Sequence, residues 1–436
     1  MIKKINSLFD AKSIPEESQK ILNDFDQIVQ GVRPLNSRQL QQLPGNIREF
    51  AHQLTDDRAS RRLGYMNENI QLSVYTRYYL WWNLVRQVRL FSNLDSKCFP
   101  ENDGVCLDIG SGPLTVVTAL WLARPELRKK KLTWYCLDVS QNSLKAGEDI
   151  FLSVVAKTNV TPSERAVTPN EKVVTPSEKV VTPSEAEGLP WKIIRIKGSV
   201  GTHINQKADF ITAGNVMNEI AQSSDMPPEY YAKKILEQVK SYASQNAKYL
   251  FIEPGVPKSS RLLSLFRTRF LNEDYDVTSP CPHAGDCPMN GFKAYTGSQN
   301  KWCNFAFATN DAPKKLLKLS ELSKLPKERA VLSFISAVPK TNTDTQSEPQ
   351  NDTSSKNAPH SVPISKNTEQ IRFRIASDPF RLPQHKTGFY ACSSLGLSLI
   401  AAPEENNLMS GDLIDVSVKK NQLQTDEKSG AVKINL

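Results

Sequence analysis

Apolar positions recur at helical spacing through ILNDFDQIVQ (21–30) and again through LSVYTRYYLWWNLVRQVRLF (72–91), which predicts a helical region over residues 1–100. Beyond it the period changes. VCLDI (105–109), LTWYCLD (132–138), WKIIRI (191–196), ADFITAG (208–214) and KYLFIE (248–253) are short apolar runs separated by helix patterns. These helices are expected from about Pro113, up to about residue 156, around 228–243 and from Ser259. Strand and helix in alternation predict an α/β domain over 101–272, with a parallel sheet covered on both faces. Residues 273–338 hold a cysteine cluster and end in the apolar run AVLSFISAV (330–338). IRFRI, GFYACSS, LSLIA and DLIDVSV predict a small β element over 370–436.

Two stretches break this pattern. VTPSE, VTPNE, VTPSE and VTPSE start at Val160, Val167, Val174 and Val181, inside a low-complexity insertion spanning 157–190. A proline in every seven-residue repeat rules out a coiled coil, so the segment reads as an extended surface insertion. Residues 339–369 are Thr, Ser, Asn, Gln and Pro with hardly an apolar residue, the composition of a disordered loop.

The composition removes several classes. No apolar run approaches the roughly 18 residues of a spanning helix, so no membrane role is expected. Seven cysteines in 436 residues are too few for a disulfide scaffold. The first twenty residues lack a secretory apolar core and contain Asp10, Glu16 and Glu17, which points to the cytoplasm of a bacterium. Lys and Arg number 55 against 46 Asp and Glu, a net charge of +9 that permits a polyanionic partner.

The first predicted strand runs into LDIGSGPL (107–114) and then an apolar helix. Gly110 and Gly112 allow a sharp turn and close approach of a ligand, and the helix N-terminus offers free N–H groups. The next strand ends in Asp138, placed to accept hydrogen bonds from ribose hydroxyls. A dinucleotide fingerprint needs a third glycine where Thr115 stands. The acid-x-Gly-x-Gly turn with a second acid instead resembles the S-adenosylmethionine site of Rossmann-like methyltransferases. That resemblance implies that Asp108, Gly110 and Gly112 hold the methionine end and Asp138 the ribose. Asn215, Asn218 and Glu219 of AGNVMNEI fall at the carboxyl edge of the sheet, either as ligand contacts, Asn215 foremost, or as caps of the following helix. No methylation signature names a catalytic residue.

Cys281 and Cys287 in PCPHAGDCPM and Cys303 in WCNF give the spacing C-x5-C-x15-C, which suits zinc or an iron–sulfur cluster. The fourth ligand is His283 or the distant Cys392 of GFYACSSLG. Cys98, Cys106 and Cys136 lie on helix or strand patterns and read as core residues.

These blocks, together with SRRLGYMNENIQLSVYTRYYLWWN, DVSQNSL and LFIEPGVPKSSRLLSLFRTRFL, occur in the order found in the methyltransferase-like ribosomal small-subunit assembly proteins, a family of bacteria and mitochondria that the sequence resembles over most of 60–395. The resemblance implies a class I methyltransferase sheet and a 4Fe-4S cluster on Cys281, Cys287, Cys303 and Cys392, with zinc as the alternative metal. It also implies S-adenosyl-L-methionine as cofactor, the small ribosomal subunit and its rRNA as partners, a monomer away from the ribosome, and His283 beside the cluster. Whether methyl transfer occurs is left open; a zinc-stabilised methyltransferase acting on a small molecule is the competing reading. Two blocks depart from the family: VSQ follows Asp138 where an Arg-Ser pair is usual, and WCNF replaces Trp-Cys-His-Phe.

Between 256 and 340 there are 13 Lys and Arg against 7 Asp and Glu, including Arg261, Arg267, Arg269, Lys314, Lys315 and Lys318. This is an RNA-tracking surface or a set of ordinary solvated helix faces. The row Tyr75, Tyr78, Tyr79, Trp81 and Trp82 is expected to pack the helical region onto the sheet rather than to stack bases.

Overall fold

A computed structural model describes residues 2–55, 66, 68–158, 189–222, 226–292, 301–340 and 368–436. The VTPSE repeat, nearly all of the 339–369 segment and most of SRRLGYMNEN lie outside the described residues.

The chain opens with a strand, β1 (Ile2–Ser7), and not with a helix as the pattern suggested. Helices α1 (Glu16–Asn23), α2 (Phe25–Val32), α3 (Ser37–Thr55), α4 (Asn69–Val74) and α5 (Leu80–Asn93) follow, with a π-helical turn at Tyr75–Tyr79 joining the last two. The α/β region then runs β2 (Gly104–Ile109), α6 (Thr115–Ala123), β3 (Leu132–Asp138), α7 (Gln141–Thr158), β4 (Trp191–Lys197) and β5 (Ala208–Gly214). It continues with α8 (Met217–Gln222), α9 (Pro228–Lys240), β6 (Ala243–Pro254), α10 (Pro257–Asn272) and β7 (Tyr275–Ser279), then β8 (Phe305–Ala308), α11 (Lys314–Leu322) and β9 (Arg329–Pro339).

These strands form one sheet in the order β4-β3-β2-β5-β6-β9-β7, with β8 on β9. The first five are mutually parallel, and β9 runs antiparallel to β6. The fold is therefore the expected Rossmann-like α/β class, and the order reverses between β2 and β5. Ligands of open α/β sheets bind at the carboxyl ends beside such a switch point.

Period-2 burial explains why the strands read as continuous apolar runs. Cys106, Trp134, Phe210 and Leu250 face the side covered by α5, α6 and α7, while Leu107, Ile211, Tyr249 and Phe251 face α9 and α10. Cys98, Cys106 and Cys136 are buried, as expected. The aromatic row is packing, but its polar handles reach helices and not the sheet: Trp81 Nε1 donates to the Leu22 carbonyl at 2.9 Å and Trp82 Nε1 to Ser320 Oγ at 3.2 Å.

The C-terminal strands β10 (Thr368–Ile375), β11 (Phe380–Leu382), β12 (Lys386–Ser393), β13 (Gly396–Pro403), β14 (Asp412–Lys419), β15 (Gln424–Thr425) and β16 (Val432–Asn435) make a second sheet. Its edge is completed by β1, which pairs antiparallel with β14, so the two ends of the chain share one sheet. Its core is Ile371, Phe373, Ile375, Phe389, Ile400 and Ile414. Among the described residues no helix is long and apolar enough to cross a membrane.

Candidate functional site: a glycine turn and a four-cysteine pocket

At the carboxyl end of β2 the chain turns through Gly110 (φ 64°), Gly112 (φ 50°) and Leu114 (φ 55°) before α6. The two glycines serve different ends. A Cβ on Gly110 would fall 2.3 Å from Val216 Cγ2, so that glycine makes room for a neighbouring side chain and not for a ligand. A Cβ on Gly112 meets nothing nearer than Ser143 Oγ at 3.9 Å, which leaves this backbone open to approach. A third glycine, unnoticed in the sequence, completes the turn: Gly147 of α7 lies so close to Pro113 that a Cβ would fall 2.3 Å from its carbonyl carbon. Leu114 is fully buried in the core under α6.

Asp108 is buried beneath this turn and accepts from Thr212 Oγ1 at 2.7 Å on Oδ1. Its other oxygen, Oδ2, has no partner, and neither has the nearby Ser143 Oγ. Burial raises its carboxyl to about 7, against the lowering hydrogen bonds of Thr212 and Ser111. Asp138 lies where the strand pattern put it, and each oxygen already accepts a backbone N–H, from Gly112 at 2.9 Å and from Ser140 at 2.8 Å. It thus fixes the turn while keeping one lone pair on each oxygen for a ligand.

Asn215 follows β5 with φ 60°, a left-handed conformation that asparagine tolerates, and its N–H bonds the Ile252 carbonyl. Asn218 is held by a residue the sequence analysis did not single out. Glu253, at the end of the apolar run of β6, accepts from the N–H groups of Met217 and Asn218 and from Asn218 Nδ2 at 2.6 Å. Burial pushes the Glu253 carboxyl up to about 7 even so. Glu253 thus caps α8 and holds the Asn218 amide, whose Oδ1 is buried without a partner. Over this edge lie Tyr75, whose phenol accepts from Asn83 Nδ2, and Arg86, which donates to the Val331 carbonyl at 3.0 Å. Asp138 and Glu219 are close enough to Tyr75 to add to the burial that raises its phenol.

The four proposed cysteine ligands come from three parts of the chain and line a single pocket. Cys281 and Cys287 lie in the loop after β7, Cys303 just before β8, and Cys392 in β12 of the second sheet. Among the described residues no group of three or more His, Cys, Asp or Glu side chains is gathered closely enough to hold a metal ion. His283 Nε2 lies 3.1 Å from Cys392 Sγ. Two buried guanidiniums complete the walls. Arg267 Nε donates to Cys281 Sγ, and Arg374 Nε donates to the Pro280 carbonyl at 3.0 Å. Arg374 also bonds the Gly411 carbonyl and Asn6 Oδ1, tying the loop to the β1–β14 edge of the second sheet. Burial lowers Arg374 to about 10; at Arg267 burial is outweighed by the thiols of Cys281, Cys287 and Cys392, which raise it.

Several basic residues depart from the surface reading. Arg267 is buried at 4% exposure and faces the cysteines, and Arg261 pairs with Glu229. Lys314, Lys315 and Lys318 are exposed, with Lys315 paired to Asp24 and Asp26.

Residues 89–353, more than half of the chain, match the family described as mitochondrial small ribosomal subunit Rsm22. The chain belongs to this family. The family match spans the glycine turn and three of the four cysteines, with Cys392 beyond its end. No curated protein matches the sequence. Among solved structures the chain is similar to precorrin-6y C5,15-methyltransferase from Geobacter metallireducens GS-15, at 11% identity over 65% of this chain and 95% of that one, TM-score 0.30. It is also similar to a SAM-dependent methyltransferase from Thiobacillus denitrificans in complex with S-adenosyl-L-homocysteine, at 10% identity over 59% and 91%, TM-score 0.31. A ribosomal protein L11 methylase from Lactobacillus delbrueckii subsp. bulgaricus shares 14% identity over 42% and 66%, TM-score 0.24.

Proposed function

We propose that this protein binds S-adenosyl-L-methionine on the LDIGSGP turn, carries a 4Fe-4S cluster on Cys281, Cys287, Cys303 and Cys392, and docks on small-subunit rRNA to assist subunit assembly or translation. The observation that carries the reading is that four thiols from three chain segments line one pocket with two buried guanidiniums, although as placed they are not drawn together into a metal-holding group. The donor set fits a cluster: thiolates are its usual ligands, and the charge they bring is offset by Arg267 and Arg374. Bound there, the cluster would cross-link the loop after β7 to the second sheet.

The turn fits the cofactor on separate grounds. Asp108 Oδ2 and Ser143 Oγ are buried polar atoms without partners, and Gly112 leaves its backbone open beside them. Asp108 would hold the methionine end, Asp138 the ribose, and Asn215 would border the site. S-adenosyl-L-methionine supplies an electrophilic methyl group when bound. Two of the acids at this edge are engaged by the backbone: Glu253 caps α8, and both oxygens of Asp138 accept turn amides. That favours a cofactor-ordered assembly factor over a transferase.

The family description places its namesake in the mitochondrial small subunit, which supports the small subunit as partner; its rRNA as the docking surface is the step added here. Sedimentation with purified small subunits in the presence of methyl-labelled cofactor tests the reading. Co-sedimentation without label in RNA supports the assembly factor; label in RNA that disappears in Asp108→Ala would establish a transferase. Absence of subunit binding contradicts both.

A further inference from the structure

A cavity of about 840 Å³, lined by neither the glycine turn nor any of the four cysteines, adjoins the cysteine pocket, and the reading above leaves it unused. That volume is typical of sites that take a small ligand or a single extruded nucleotide (roughly 300–1,000 Å³). Its floor is Gly255, two residues past the Glu253 that caps α8, so it opens on the same carboxyl edge as the turn. Its far wall is Tyr390 and the 376–378 segment of the second sheet. Met289 and Ala376 line this cavity and the cysteine pocket alike.

Two aromatic rings and two cations stand out in the lining. Trp302 is fixed by its indole N–H, which donates to the Gly255 carbonyl at 3.1 Å. Lys301 Nζ lies 4.1 Å from the centroid of the Tyr390 ring. Arg329 stands at the rim, paired with Asp378, the one acid of the lining. Two half-buried aromatic rings with two cations beside them are the combination by which proteins hold single-stranded nucleic acid, rings stacking on bases and cations meeting phosphates. A duplex cannot offer an unstacked base to such a cavity.

We propose that this cavity receives an unpaired nucleotide of RNA, stacked on Tyr390 or Trp302, with Lys301 and Arg329 turned to its phosphates. The inference rests on the rRNA-binding reading and deepens it, because it names the strand state that is recognised and the face that recognises it. Lys301 covers the Tyr390 ring in the free protein, and its flexible stem lets the ammonium swing outward as a base takes its place.

The test uses the cluster-loaded protein and a fluorescently labelled short oligoadenylate, single-stranded or annealed to oligouridylate, with binding followed by anisotropy. Preference for the single strand is expected, with Tyr390→Ala and Lys301→Glu each weakening it roughly tenfold and Tyr390→Phe retaining it. Should Tyr390→Ala lose iron because Cys392 is two residues away, Lys301→Glu carries the test alone. Equal affinity of a folded, iron-loaded Lys301→Glu and wild type overturns the proposal. So does a wild type that sediments with small subunits but ignores the single strand, which leaves the ribosomal reading standing. A wild type that binds neither subunits nor RNA overturns both.

Discussion

Arg267 Nε meets Cys281 Sγ at 3.2 Å while Nη2 of the same guanidinium accepts no role at the surface, donating instead to the His283 and Gly285 carbonyls at 2.7 Å each. One side chain from α10 therefore shapes the whole first half of the cysteine loop and supplies a buried positive charge beside it. Arg267→Met leaves two carbonyls without donors and should cost roughly 2–4 kcal/mol. It should also lower the iron bound per chain. Arg267→Lys keeps the charge but not the fork, so it should retain more iron than Met while still melting earlier. Anaerobic denaturation and iron analysis of the two variants check this, and equal iron in both would remove the charge argument.

Asp108 and Glu253 carry a pH signature. Both carboxyls are raised to about 7 in the fold by burial, from ordinary values of 3.8 and 4.5. The folded protein then holds more protons than the unfolded chain across that interval. Their contribution to stability is complete below the unfolded values and is lost as pH rises through about 7. Asp108→Asn should narrow the drop in melting temperature between about pH 5.5 and pH 8. A ligand that needs Asp108 as carboxylate must displace its proton, so S-adenosylhomocysteine should bind more tightly at about pH 8 than at pH 6 in wild type. Calorimetry should find that gain missing in Asp108→Asn.

The glycines of the turn separate packing from strain. Gly147→Ala drives a Cβ into the Pro113 backbone and should displace the turn, with a loss of at least about 2 kcal/mol and of cofactor binding. Gly112→Ala meets open space and faces only its positive φ, a cost of about 1 kcal/mol. Thermal melts rank the two, and a Gly112→Ala that is the more damaging would place a hidden contact at the turn.

Much of this was legible in the sequence because buried parallel strands leave continuous apolar runs, and each of β2 to β6 was such a run. The glycine turn was visible for the same reason, since it begins where the first run stops. β1 was missed because IKKINS is an edge strand, exposed along its length, and carries no burial pattern. Glu253 was hidden inside KYLFIE, where a lone acid at a strand end says nothing about the helix it caps. Arg267 read as surface charge because helix periodicity does not reveal that a thiol and two carbonyls await it. Cys392 is the reverse case: more than eighty residues from Cys303, it was one of two candidates for the fourth ligand until family resemblance preferred it to His283, and the structure lines one pocket with all four cysteines.

The central claim is the four-cysteine site, and metal analysis of protein purified without oxygen tests it most directly. Wild type should contain iron and sulfide in near-equal amounts with broad absorption near roughly 400 nm, and Cys392→Ser should lose both. Zinc without sulfide, unchanged by Cys392→Ser, would contradict it and leave Cys281, His283, Cys287 and Cys303 as the ligands to examine.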